Sequence, residues 1–190
     1  MMIARVCDLR TTALFGFLFV LLNAPIQAQA GREFEPGGRT RAYVNSLIGP
    51  GALVSLGIGT GIDQASDEPP EWGNHWEKRL YSNFGRNVAQ ESVRHSLAAL
   101  FGRSVTYRRC TCDGIPSRIG NAIVEVVTDR DRDGDRFVAI PRFAGSYAGA
   151  YAESTWRPDR DAPEILAVGT SVLLFGTVSN LWREFVGWPR

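Results

Sequence analysis

The sequence is short of the side chains that carry most enzyme chemistry. It has two histidines and three cysteines in 190 residues. No G-x-S-x-G elbow presents a nucleophilic serine, and no H-E-x-x-H pair presents a zinc site. Gly57-Ile58-Gly59-Thr60-Gly61-Ile62 falls short of the full G-x-G-x-x-G and follows no strand, so it does not read as a dinucleotide turn. Lysine is nearly absent: Lys78 stands alone among 21 Lys and Arg residues. Net charge of one sign is also missing, at +1 overall, which removes the electrostatic footprint of a nucleic-acid binder. The inventory leans away from an enzyme and implies no cofactor beyond the calcium weighed below.

What is present begins with an address. Arg5 and Arg10 precede an apolar run from Thr11 to Leu22, followed by Pro25 and Ala28-Gln29-Ala30. This is the pattern of a secretory signal peptide over residues 1–30, with the apolar core short for a membrane span. Cys7 lies before that core. Residues 31–41, with Pro36-Gly37-Gly38, read as a mobile leader. Residues 42–190 are one domain's worth of chain.

The element around which that domain is organised is Tyr43–Asp63, free of charge until its last residue and punctuated by five glycines. Pro50 decides its form. Proline suits the first turn of a helix and harms its interior, so either one helix ends near Ile48 and another begins at Pro50, or one kinked helix runs through. A helix from Pro50 to Ala65 would be about 24 Å long, short of a hydrocarbon core of about 30 Å. On that branch the stretch is the central strut of a soluble bundle. Run through from Tyr43, it could span.

Helical periodicity continues downstream. Glu77–Phe101 places Ala89, Val93, Leu97, Leu100 and Phe101 on one face and Arg86, Gln90, Glu91 and Arg94 on the other, and Gly102 ends it. Ser117 reads as an N-cap, followed by Ile119, Ala122, Ile123, Val126 and Val127 on one helical stripe; periodicity favours this over a hairpin turning at Asp133-Gly134. The last helix has strong start signals in Asp161, Pro163 and Glu164, then runs uncharged from Ile165 to Trp182. Two rows of small residues recur at spacing four: Gly57, Gly61 and Ala65, and Ala144, Ala148 and Ala152 beside Gly145 and Gly149. Such faces let helix backbones approach closely, and the two are expected to mate.

Two clusters invite a chemical reading. Asp129, Asp131, Asp133 and Asp135 alternate around Gly134, as the oxygens of a calcium loop do. Arg136 and Ile140 stand where that loop needs an apolar residue and a bidentate Glu, so a solvated charged turn is the favoured reading. Cys110 and Cys112 form a C-x-C pair with no second pair to complete a metal site, which points to a disulfide or redox role in an oxidising compartment.

Gly49-Pro50, Glu71-Trp72-Gly73, Phe84-Gly85-Arg86, Tyr107-Arg108-Arg109-Cys110, Arg142-Phe143-Ala144-Gly145 and Arg183-Glu184-Phe185 follow one another in an order that resembles an uncharacterised family of exported, glycine-rich helical bacterial proteins. The resemblance covers most of residues 31–190 and implies an envelope protein with no catalytic residue to carry over. The sequence thus predicts a mainly α fold of about five helices with Gly/Ala packing faces and a short β-ribbon involving Val105–Arg108 and Phe137–Ile140. The leading functional expectation is a non-enzymatic envelope protein, periplasmic or membrane-associated, with lipid or another envelope protein as partner. A lipid or small apolar ligand module and a calcium-dependent enzyme are the alternatives.

Overall fold

The computed structural model describes residues 32–157 and 160–186, so the segment expected to be a signal peptide, Cys7 included, lies outside the described residues. The chain is mainly helical, with one two-stranded antiparallel ribbon. Among the described residues there are six α-helices: α1 (Gly38–Ile48), α2 (Pro50–Ala65), α3 (Trp76–Leu100), α4 (Ile115–Val127), α5 (Ile140–Ser154) and α6 (Ala162–Phe185). Taking α1 and α2 as one bent rod gives five.

Pro50 breaks the first rod. Gly49 is extended (φ −67°, ψ 161°) and serves as the N-cap of α2, with Pro50 in its first turn, where a missing N–H costs nothing. The expected consequence does not follow. α2 is no central strut: it lies on the outside, with Leu53, Ile58 and Ile62 exposed. The middle of the bundle is α3, which packs against α1 and α2 on one side and α5 on another. α6 flanks α5 and α4.

Side-chain pairings give the directions. Late α2 meets early α3, where Asn83 donates to Asp63 (2.8 Å), and early α1 meets late α3, where Tyr43 bonds Ser92 (2.8 Å). A Cβ on Gly145 would meet Gln90 and Arg94 of α3, and one on Gly149 would meet Gln90 and Arg86, so α5 is antiparallel to α3. The small-residue rows do not mate. Gly145 and Gly149 press on the polar side of α3, while Gly57 and Gly61 face open space and Ala65 is exposed.

Three boundaries differ from the sequence reading. The leader is structured: Arg32–Phe34 forms a 3₁₀ turn, and buried Glu33 accepts from Ser104 Oγ (2.7 Å) and the Val105 N–H (3.1 Å). α4 begins at Ile115 after Gly114, whose φ of +87° makes the turn, so Pro116 and Ser117 lie inside the helix and Ser117 is no cap. The ribbon pairs β1 (Thr128–Arg130) with β2 (Arg136–Val138); residues 105–108 are not a strand. A local strand straight after α4 closes across a short turn at little entropic cost, whereas pairing with residues 105–108 would close a far longer loop. The expected caps of α6 are there, with Asp161 Oδ1 accepting the Glu164 N–H at 3.0 Å.

Candidate functional site

The feature that sets this molecule apart is its interior. The largest fully buried side chains include Arg79, Arg157, Glu153 and Glu184, while the buried apolar set is small: Ala98, Ala122, Ala139, Ala150, Val126 and Tyr107. An ordinary soluble core is the reverse.

At the N-terminal end of α3, fully buried Glu153 of α5 accepts from Ser82 (3.0 Å) and Arg86 (3.4 Å) and lies 3.6 Å from Arg157 and 3.7 Å from Arg160. Ser82 also accepts from Trp156 Nε1 at 2.9 Å. Arg157 reaches back to Asp63 at the end of α2 (3.7 Å), so one ionic cluster ties α2, α3 and α5 together. Beside it Arg79 gathers the loop after α2, donating to the carbonyls of Glu68 (2.8 Å) and Gly73 (2.5 Å) and to Asp67 (2.9 Å). Pro69 and Pro70 keep that loop out of α-helix and leave it a 3₁₀ turn at Pro70–Trp72, and its turned carbonyls need a donor such as Arg79.

Halfway along α3, Glu91 lies 3.4 Å from Arg94 and 3.5 Å from His95, whose ring also meets Ser46 of α1 at 3.3 Å. At the far end Glu184 of α6 accepts from Tyr107 (2.5 Å), Arg118 Nε (2.9 Å) and the Cys110 N–H (3.2 Å), while Arg109 (2.9 Å) and Arg118 donate to its carbonyl. Burial, and then the Glu184 carboxylate, push the Tyr107 phenol well above its ordinary value. On α4, Glu125 pairs with Arg130 (2.7 Å) and Arg136 (3.4 Å).

Outside, the pattern is inverted. Gly38–Ala65, counted across the break at Gly49-Pro50, and Ala162–Phe185 are long and apolar enough to cross a membrane by length and composition, yet only 6% and 11% of their apolar windows are buried. Val44, Ile48, Leu53, Ile58 and Ile62 on α1–α2, and Leu166, Leu174, Phe175 and Val178 on α6, are 44–65% exposed. Fully burying such a side chain is worth about 1.5–3 kcal/mol, so these nine forgo on the order of 10 kcal/mol in water. That matches the whole stability of an ordinary domain, about 5–15 kcal/mol. α4 shows the same inversion: Ile115, Ile119, Ile123 and Val127 face outward, while Asn121, Ala122, Glu125 and Val126 are buried.

Charge and aromatics are zoned along the helices. No charged residue occurs over 42–62, 143–152 or 165–182. Trp76, Tyr81, Tyr151 and Trp156 are exposed toward the end that holds Glu153, and Trp182 toward the end that holds Glu184. Tryptophan and tyrosine at both ends of an apolar belt are the mark of a bilayer's two interfaces.

The acidic run does not form a calcium cage. Asp129 is buried and faces Arg142 (3.3 Å), and Asp131 Oδ1 accepts the N–H groups of Asp133, Gly134 and Asp135 at 3.0 Å each. Asp133 and Asp135 are exposed, and among the described residues no group of three or more metal-binding side chains converges. Arginines from elsewhere in the chain explain this: Arg142 and Arg103 claim Asp129 and Asp131, and β1 ends at Arg130, so the turn carries Asp133 and Asp135 into solvent. Cys110 and Cys112 are joined as a disulfide. Sequence reasoning assigned no role to Glu33, Arg79, Glu153 or Glu184: Glu153 closes the small-residue helix and Glu184 follows the apolar one, while Glu33 and Arg79 lie in short charged runs that read as solvated.

No family model, no curated protein and no solved structure matches this chain. The roles of these residues therefore rest on their geometry.

Proposed function

We propose that this chain is a non-enzymatic protein of the cell envelope that works embedded in a lipid bilayer, holding its helices together through a charged interior. The observation that carries the reading is the inversion: large apolar side chains outside, paired arginines and carboxylates inside. In hydrocarbon, apolar surface costs nothing to expose, and ionisable side chains turn inward to pair. Dimensions fit as well. At 24 residues α6 is about 36 Å long, and its uncharged stretch alone covers about 27 Å of a core of about 30 Å. An apolar ligand pocket between helices has less support, since that space is lined by charges and by close glycine contacts.

Fractionation tests the reading. Membranes from cells making the full chain are washed with high salt and then with alkaline carbonate. Retention in the pellet and release by detergent are expected. Recovery in the wash as a monodisperse soluble protein would overturn the proposal, and a soluble oligomer would assign the apolar faces to other copies instead.

A further inference from the structure

The Cys110–Cys112 disulfide lies beside the Glu184 cluster, in the segment between α3 and α4. A disulfide stabilises a fold chiefly by restricting the unfolded chain, and its effect grows with the loop it closes. These cysteines are two apart, so the loop holds only Thr111 and the restriction is close to the least a disulfide can impose. Tyr107, Arg109 and Arg118 with Glu184 already fix the segment without it.

The two sulfurs are unequally placed. Cys110 is anchored, its N–H donating to Glu184 Oε2 at 3.2 Å, directly after Tyr107 and Arg109, which bind the same residue. Cys112 is half-buried like Cys110, but it is flanked by exposed Thr111, Asp113 and Gly114, where Arg108 and Arg109 before Cys110 are half-buried. Its N–H donates to Cys110 Sγ at 3.2 Å. A donor on sulfur stabilises a thiolate, and a stabilised thiolate is the better leaving group.

We infer that Cys110–Cys112 is a thiol–disulfide exchange centre that oxidises a dithiol peptide or protein. The partner's thiolate attacks Cys112 Sγ. The Cys110–Cys112 bond breaks, and its electron pair leaves on Cys110 Sγ, which holds the Cys112 N–H. The partner's second thiol, as thiolate, then attacks the partner's own sulfur in the mixed disulfide, and Cys112 leaves as the second thiolate. The partner ends as a disulfide. This chain ends as a dithiol, having gained two electrons and the two protons the partner's thiols gave up. The inference stands apart from the membrane reading and needs neither its success nor its failure.

The test uses the purified full chain in detergent, exposed briefly to limiting reduced glutathione, quenched in acid and alkylated. Peptide 110–118 is then sequenced by fragmentation. Glutathione is expected on Cys112 in about tenfold excess over Cys110. Cys110→Ser and Cys112→Ser hold no disulfide to supply the oxidising equivalents, so neither should take up glutathione from the reduced reagent, and an adduct on either would overturn the inference by tracing the wild-type adduct to another oxidant. Dithiothreitol should reduce the wild-type bond without loss of helical circular dichroism. Adducts chiefly on Cys110, a bond inert to both reagents, or loss of helical signal on reduction would each overturn the inference, the last by showing the bond to be structural.

Discussion

Removing the charge of Glu153 should be among the most damaging single changes in this molecule. Glu153→Gln keeps the shape and a partner for Ser82 but leaves Arg86, Arg157 and Arg160, at 3.4–3.7 Å, without their shared anion. At an effective dielectric of 20 each pair is worth about 4.5–5 kcal/mol before desolvation is subtracted. Most of that gross attraction offsets the cost of taking the ions out of water, so the pairs themselves are no large net gain. The asymmetry decides the outcome: stranding a buried partner costs about 3–5 kcal/mol. Asp63 still faces Arg157, which places the expected loss near the lower bound. Urea or SDS titration of the detergent-solubilised protein, followed by circular dichroism, measures it. A loss below about 1 kcal/mol, the range of a surface ion pair, would refute the claim that this cluster holds α2, α3 and α5 together.

Three further outcomes follow from the geometry. Gly145→Ala would put a Cβ 2.7 Å from the Gln90 carbonyl and should destabilise by about 1–3 kcal/mol; Gly57→Ala faces open space and should be neutral or slightly stabilising through helix propensity, and equal losses in the two melts would contradict the packing described. Tyr107 should make stability fall in alkali: its folded pKa is raised, so its contribution is complete below the ordinary phenol value near 10 and is lost as pH rises toward the folded one, and Tyr107→Phe should flatten that decline in melts taken across pH 9–12. Asp161→Ala removes the cap on the Glu164 N–H and should cost about 1 kcal/mol, with amide exchange quickened only in the first turn of α6.

How much of this was legible in the sequence varies with the kind of signal. Local punctuation was clear. Pro50 broke the first rod, Gly102 at φ +65° followed the end of α3, and Asp161, Pro163 and Glu164 opened α6. These depend on backbone sterics and on donors within one turn, which neighbouring residues determine. The sense of the faces was not legible. Periodicity marked Arg86, Gln90, Glu91 and Arg94 as one side of α3, but that side packs inward against Gly145 and Gly149, while Leu100 and Phe101 are exposed. A hydrophobic stripe reveals amphipathicity; which stripe turns inward depends on the surrounding medium. The ionic cluster was unreadable for a related reason. Asp63, Arg86 and the local pair Glu153 and Arg157 are far apart in the chain, and only antiparallel packing of α2, α3 and α5 brings the three together.

The most direct test of the inverted arrangement is tryptophan quenching by brominated lipid. The full chain is reconstituted into vesicles whose acyl chains carry bromine either near the headgroup or near the chain terminus. With Trp76, Trp156 and Trp182 exposed toward the two ends of an apolar belt, fluorescence should fall with both lipids, and further with bromine near the headgroup. Fluorescence unchanged by either lipid would place the apolar exterior away from hydrocarbon and contradict the account.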